Sequence, residues 1–216
     1  MKQLRTTLIM AILAVFTHAV LAQQQSEKEL KKDISEKATK EARREAKEFE
    51  KKGYSVAPGA LPMEKQIERA WMRQYETDDT GYPLYIVASG NSVANTQSAA
   101  KLQATEIAKL ELAGSISTQV AALIETSIAN EQLSAKDAAS VTKTVAASKN
   151  IIAQEIGRVI PLFEIYKTIG KNIEANVRVA YNSQMAMESA KKVIKKKLEE
   201  ETEVAHEKLE KLMNFN

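Results

Sequence analysis

The side chains able to make or break bonds are few in this chain, and their spacing decides which chemistries remain. Two histidines occur. His18 falls in an apolar leader. His206 stands alone in the charged run AHEKLEKL, without the further imidazoles of a zinc site or the GxSxG elbow of a serine hydrolase. There is no Cys, which excludes thiolate nucleophiles, thiolate metal sites, disulfides and a lipid-modified N-terminal cysteine. The aspartates are Asp33 in a charged helical run, Asp137 at a helix start, and Asp78-Asp79 in a turn before Gly81. That dyad lacks the spaced oxygen ligands of a calcium loop. Gly90, in ASGNSVAN, lies between a strand and a helix as phosphate loops do, but one glycine does not let backbone amides wrap a phosphate; it reads as a turn. The inventory predicts no catalytic residue, no metal site and no cofactor.

Aromatic residues make up 5% of the chain, yet Trp71, Tyr75, Tyr82 and Tyr85 crowd into one short stretch with Arg73, and Tyr54 can join them. Aromatics beside an arginine form the centre of many protein interfaces, so these five residues, Trp71, Arg73, Tyr75, Tyr82 and Tyr85, are the candidate binding patch. The competing reading is packing, because Trp71 lies on the apolar face of an amphipathic segment.

The charge balance limits partners. Lys and Arg number 31 against 28 acids, a net +3, too even for nucleic-acid binding driven by counterion release. Lys2 and Arg5 precede the apolar run Leu8 to Phe16, too short to span a bilayer, and Ala19-Val20-Leu21-Ala22 places small residues before a cut ahead of Gln23. Residues 1–22 therefore read as a signal peptide, and no later stretch is expected to span a membrane. The location predicted is the periplasm or the exterior of a bacterial cell.

Residues 23–53 form a charged arm. From Ser26 to Lys52 acids precede bases by four residues at Asp33/Lys37, Glu36/Lys40 and Glu48/Lys52, which supports a helix. Leu30, Ile34, Ala38, Ala42, Ala46 and Phe49 give it one thin apolar line, that of a solvated arm lying along another helix, and Gly53 should stop it. Pro62 opens a helix from Met63 to about Tyr75. Leu84 to Ala88 is a short strand closed by Ser89-Gly90-Asn91. A long core helix follows from about Asn95 to Ala129, with Ala100, Ala104, Ile107, Leu110, Ala113, Val120, Ile124 and Ile128 inward. Gly114 within it points to the close approach of another backbone. Ser134 caps a further helix from Ala135 to Ile156. VIPLFEIYKTIGKNIEANVRVAY is a hairpin about Gly170-Lys171-Asn172, its second strand alternating Ile173, Ala175, Val177, Val179 and Tyr181 with polar residues on a solvated side. Residues 183–216 carry a helix with near-heptad apolar spacing, interrupted around Glu201.

The fold class expected is α+β: a small antiparallel sheet, one strand plus a hairpin, packed on two long helices, with charged helical extensions at both ends and the domain proper over 54–182. The YIVASGNS strand, the alanine-rich SAAKLQATEIAKLELAGSIS helix and the PLFEIYKTIGKNIEANVRVAY hairpin together resemble the LPP-twenty domain family of bacterial envelope lipoproteins, over residues 84 to 182. The resemblance implies an exported α+β domain without catalytic residues. This chain departs from the family in having no cysteine after its leader. The YSVAPGALPMEKQIERAWMRQYE stretch is similar to exported proteins of the Bacteroidetes type.

The function expected is that of a non-enzymatic envelope protein, a structural or adaptor module for an unidentified envelope partner, which can self-associate through its terminal helices. The alternatives are a periplasmic hydrolase using carboxylates alone, which needs two acids about 5 to 9.5 Å apart in a cleft, and a small-ligand carrier with an apolar pocket between sheet and helices.

Overall fold

The computed structural model describes residues 29, 32–131, 133–202, 204 and 206–213; the leader expected over 1–22, the cut at Ala22, and Leu30 lie outside them. Helix α1 covers residues 32–51, followed by α2 (Met63–Tyr75), β1 (Tyr85–Ala94), α3 (Gln97–Glu131), α4 (Ala135–Ala147), α5 (Lys149–Glu155), β2 (Ile160–Ile169), β3 (Asn172–Asn182), α6 (Ser183–Glu201) and α7 (His206–Met213). The fold is α+β, a three-stranded antiparallel sheet in the order β1-β3-β2 packed with long helices.

The hairpin forms where expected. Gly170, at φ +60°, takes the left-handed conformation of the two-residue loop with Lys171. A bulge at Leu162 skips one residue of β2 between Pro161 and Phe163, so that Leu162 and Phe163, adjacent in sequence, are both buried.

Strand β1 is longer than expected: it runs through Gly90 to Ala94 and pairs with β3 throughout. Gly90 is no turn. A Cβ there would lie 1.9 Å from the Ala104 carbonyl oxygen and 2.6 Å from the Ala108 nitrogen, because α3 rests its backbone directly on the strand. The close approach expected at Gly114 is absent; a Cβ there would meet only the Lys149 side chain, 3.0 Å from Nζ.

The buried positions of α3 recur every four residues: Ala100, Ala104, Ala108, Leu112, Ile116, Val120 and Ile124. A step of four advances about 40° around a helix, so the stripe spirals. Its first turns lie on β1 and β3, and its later ones meet α4, α5, α6 and α7. Ile107 and Leu110, expected inside, are each 39% exposed. By length and composition Gln97–Ile128 is apolar enough to cross a membrane, contrary to expectation; in this fold it is the central helix. The helix expected over 135–156 breaks at Ser148, whose buried hydroxyl donates to the Thr144 carbonyl.

The terminal segments are not free extensions. Ala42 and Ala46 of α1 pack with Tyr54, Met63, Ile67, Leu162, Phe163, Ile165 and Ala180 in a second core on the face of the sheet away from α3. An alanine line is thin because it lets a helix come close, and α1 uses it that way. Helices α6 and α7 join α3 in the main core through Ala186, Ala190, Ile194, Leu198, Leu209 and Leu212. Among the described residues, α1 and the α6–α7 pair therefore belong to different cores. The interruption near Glu201 is a true break: Thr202 closes α6 on the Leu198 carbonyl, and α7 folds back so that Glu210 pairs with Lys195.

Candidate functional site

The five residues of the aromatic patch are divided by the fold. Trp71 and Tyr75, one turn apart on α2, stack at 5.6 Å between ring centroids, and the Lys37 ammonium of α1 lies 4.6 Å from the Tyr75 ring. Arg73, two positions along, points elsewhere: its guanidinium lies 4.8 Å from the Tyr85 ring on β1 and pairs with Glu76 at 2.6 Å. The Glu76 hydrogen bond holds the Arg73 pKa above its ordinary value, against the opposing effect of burial. Tyr82 sits in the Asp78 turn, half exposed, and its hydroxyl donates to Gln119 of α3 at 3.3 Å. Asp78 builds that turn by accepting from the Thr80 hydroxyl, the Tyr82 amide and the Thr80 amide, which lowers its pKa. The structure thus joins Trp71 to Tyr75 and Arg73 to Tyr85, and places Tyr82 with α3.

What Trp71 does reach is a polar seam that the sequence reading missed. Its indole N–H donates to Glu45 of α1 at 2.7 Å, and the same carboxylate takes the Arg178 guanidinium at 2.6 Å. Arg178 also donates to the Ser89 hydroxyl at 3.1 Å and lies 4.6 Å from the Phe163 ring. Further along β3, Glu174 pairs with Lys167 at 2.8 Å and accepts from Asn91 at 2.7 Å, while Lys167 stands 4.7 Å from the Tyr54 ring. On the face toward α3, Lys101 pairs with Glu164 at 2.7 Å. The strand positions expected to face water, Glu174, Asn176 and Arg178, are instead roofed by α1 and the segment after it. The signal was present in their alternation, since a polar stripe with acids and bases in register across strands suits a covered ionic layer as well as a wet one.

The electrostatics of this seam lock charges. Burial alone would raise the Glu174 carboxyl, but hydrogen bonds from Lys167, Asn91 and Tyr54 outweigh it and hold the group below its ordinary value. Burial, then the hydrogen bond to Glu174, pushes the Tyr54 phenol up, and the hydrogen bond to Glu174 raises Lys167. Hydrogen bonds from Lys65 and Thr39 hold Glu68 low. General acid–base catalysis needs a group titrating near the working pH, and each of these is moved away from neutrality.

The open clefts are of a different character. A groove of about 780 Å³ between α3 and the α4–α5 pair is lined by Glu111, Gly114, Ser117, Ala121, Val145 and Lys149. A second, of about 520 Å³, lies among Lys52, Ser55, Gln97, Tyr166, Lys167 and Ile173. Among the described residues no three of His, Asp and Glu come together as metal ligands would. His206 opens α7.

Compared with known proteins, the chain matches no family model, no curated relative and no solved structure.

Proposed function

We propose that this is an exported, non-catalytic module of the bacterial envelope that works by binding another protein, a structural or adaptor role. The observation that carries this reading is that three covered carboxylates, Glu45, Glu174 and Glu164, are each engaged by side chains of other elements. Glu45 is taken by Trp71 and Arg178, Glu174 by Lys167 and Asn91, and Glu164 by Lys101, so the acids with buried character hold elements together. The resemblance of residues 84 to 182 to LPP-twenty domains and the leader-like residues 1–22 belong to the same reading. The carboxylate hydrolase remains the rival, and the downward direction of Glu68 and Glu174 disfavours it, because a general acid needs a raised pKa.

The test is paired. Protein purified from the envelope fraction should begin at Gln23 by N-terminal sequencing and should retain a reproducible protein partner on affinity capture. Release of sugars or peptides from purified envelope polymers, abolished by Glu174→Gln or Glu164→Gln, would overturn the reading.

A further inference from the structure

Strand β1 is an edge strand, since the order β1-β3-β2 leaves one of its sides unpaired. The Ser183 amide donates to the Leu84 carbonyl, and this pair continues the register in which Tyr85 faces Asn182. Bonded and non-bonded pairs alternate along an antiparallel ladder. Ile86, Ala88, Gly90, Ser92 and Ala94 therefore bond to β3. Tyr85, Val87, Ser89, Asn91 and Val93 turn their N–H and C=O groups off the sheet, and none of those groups has a backbone partner among the described residues. Proteins usually blunt such an edge with lysine, proline or a bulge. The other edge has Pro161, the bulge at Leu162 and the bridge from Ser55 to Tyr166. The ten residues YIVASGNSVA of β1 have none of these and no charge.

Helix α3 forms a wall along this edge. Gln103 is held by the Ser92 hydroxyl at 2.7 Å, and Gln119 by Tyr82 just before β1. Residues four apart share a helix face, so the row Gln103, Ile107, Glu111, Ser115 and Gln119 runs between those two contacts, along the open side of β1. In this row Ile107 is 39% exposed. Glu111 makes no ion pair among the described residues; Lys149, on the other side of the shared groove, reaches over Gly114. The trough is thus apolar at one point, negative at the next, and floored by unpaired backbone.

We infer that this trough binds an extended, neutral-to-basic segment of a partner protein as a fourth strand, with an apolar side chain under Ile107 and a Lys or Arg reaching Glu111. This deepens the proposed function and rests on it. The hydrogen-bonding continuity of the β1–β3 ladder demands an extended backbone, and the charge at Glu111 selects its sign. A second copy pairing antiparallel fits poorly. Because α3 lies on β1 itself at Gly90, an antiparallel β1–β1 pair would bring two α3 helices to about one strand spacing, ~4.8 Å, where packed helices need about 8–10 Å.

The experiment uses the full mature chain and a labelled synthetic octapeptide alternating valine with threonine and lysine, read by fluorescence anisotropy and by amide hydrogen exchange. In the free protein the amides of Val87, Ser89 and Asn91 should exchange quickly while those of Ala88 and Gly90 are protected, and the peptide should protect the first set. Val93→Pro, which removes one outward N–H from an exposed position, and Glu111→Lys should each weaken binding by about tenfold or more. A peptide with glutamate in place of lysine should bind Glu111→Lys better than it binds the unaltered chain. Should Val93→Pro fail to fold, the Glu111 charge swap still decides. Equal binding to all variants, or no saturable binding, overturns the inference. So does protection of the outward amides in the free monomer, which would mean the chain's own N-terminal residues fill the trough, or protection only in a dimer. An envelope partner retained undiminished by both variants removes this edge as the surface while leaving the proposed function standing.

Discussion

Arg178 of β3 and Glu45 of α1 are 133 residues apart in sequence and 2.6 Å apart in the fold. Their side chains are only 15% and 18% exposed, and each has a second partner. Removing one partner of a covered ion pair strands the other, which costs roughly 3 kcal/mol or more. Arg178→Ala should lower unfolding free energy by about that amount in urea titrations, as should Glu45→Ala, which also strands the Trp71 N–H. A double-mutant cycle should give a coupling well above about 1 kcal/mol; additive losses would show that the pair does not hold α1 to the sheet.

Two glycines should respond in opposite directions. Gly90→Ala places a methyl against the backbone of Ala104 and Ala108, which has no room to yield within a helix, and should destabilise by about 3 kcal/mol or prevent folding. Gly114→Ala meets only the far end of Lys149. It should stabilise by roughly 0.5–1 kcal/mol through helix propensity, and thermal unfolding of the two variants separates these outcomes.

Deleting residues before Gly53 should unfold the second core and not merely shorten the protein. Leu162, Phe163 and Ile165 are almost fully buried, and large apolar side chains contribute about 1.5–3 kcal/mol each when buried. A truncated chain starting at Gly53 should lose cooperative unfolding or melt far below the full chain; an unchanged melting curve would restore the picture of a dispensable arm.

Stability should fall at both ends of the pH range. Glu68 and Glu174 have folded pKa values below their ordinary ones, so their contribution is complete above the unfolded value near 4.5 and is lost as pH falls through the folded value. Tyr54 and Lys167 are raised, so their contribution is complete below the unfolded values near 10.0 and 10.5 and is lost as pH rises beyond them. Glu174→Gln should flatten the acid limb and Tyr54→Phe the alkaline one in denaturation curves taken across pH.

The hairpin was legible because Val, Ile, Phe and Tyr flank Gly170-Lys171 with a period of two, and Ser134 was legible as a cap because an acid follows it by three residues; its oxygen does accept from the Asp137 amide. The role of α1 was not, since the charges of its outer face outnumber the small residues of its inner one, and closeness of packing leaves no mark in hydrophobicity. The close backbone approach expected at Gly114 occurs at Gly90 instead, for a related reason: a glycine between a strand and an expected helix reads as a turn until a helix is known to press on it. Of the aromatic patch, Trp71 was visible by type, but its partner Glu45 was one acid among many in the charged run. Nothing local distinguishes the glutamate that will meet Arg178.

That long separation has a bearing on how the polypeptide is made. Helix α1 leaves the ribosome early and covers a sheet whose hairpin is made late, so the second core cannot close until most of the chain exists. Non-local closure of this kind is slow. Until then Leu162, Phe163 and Ile165 have no cover on that face of the sheet.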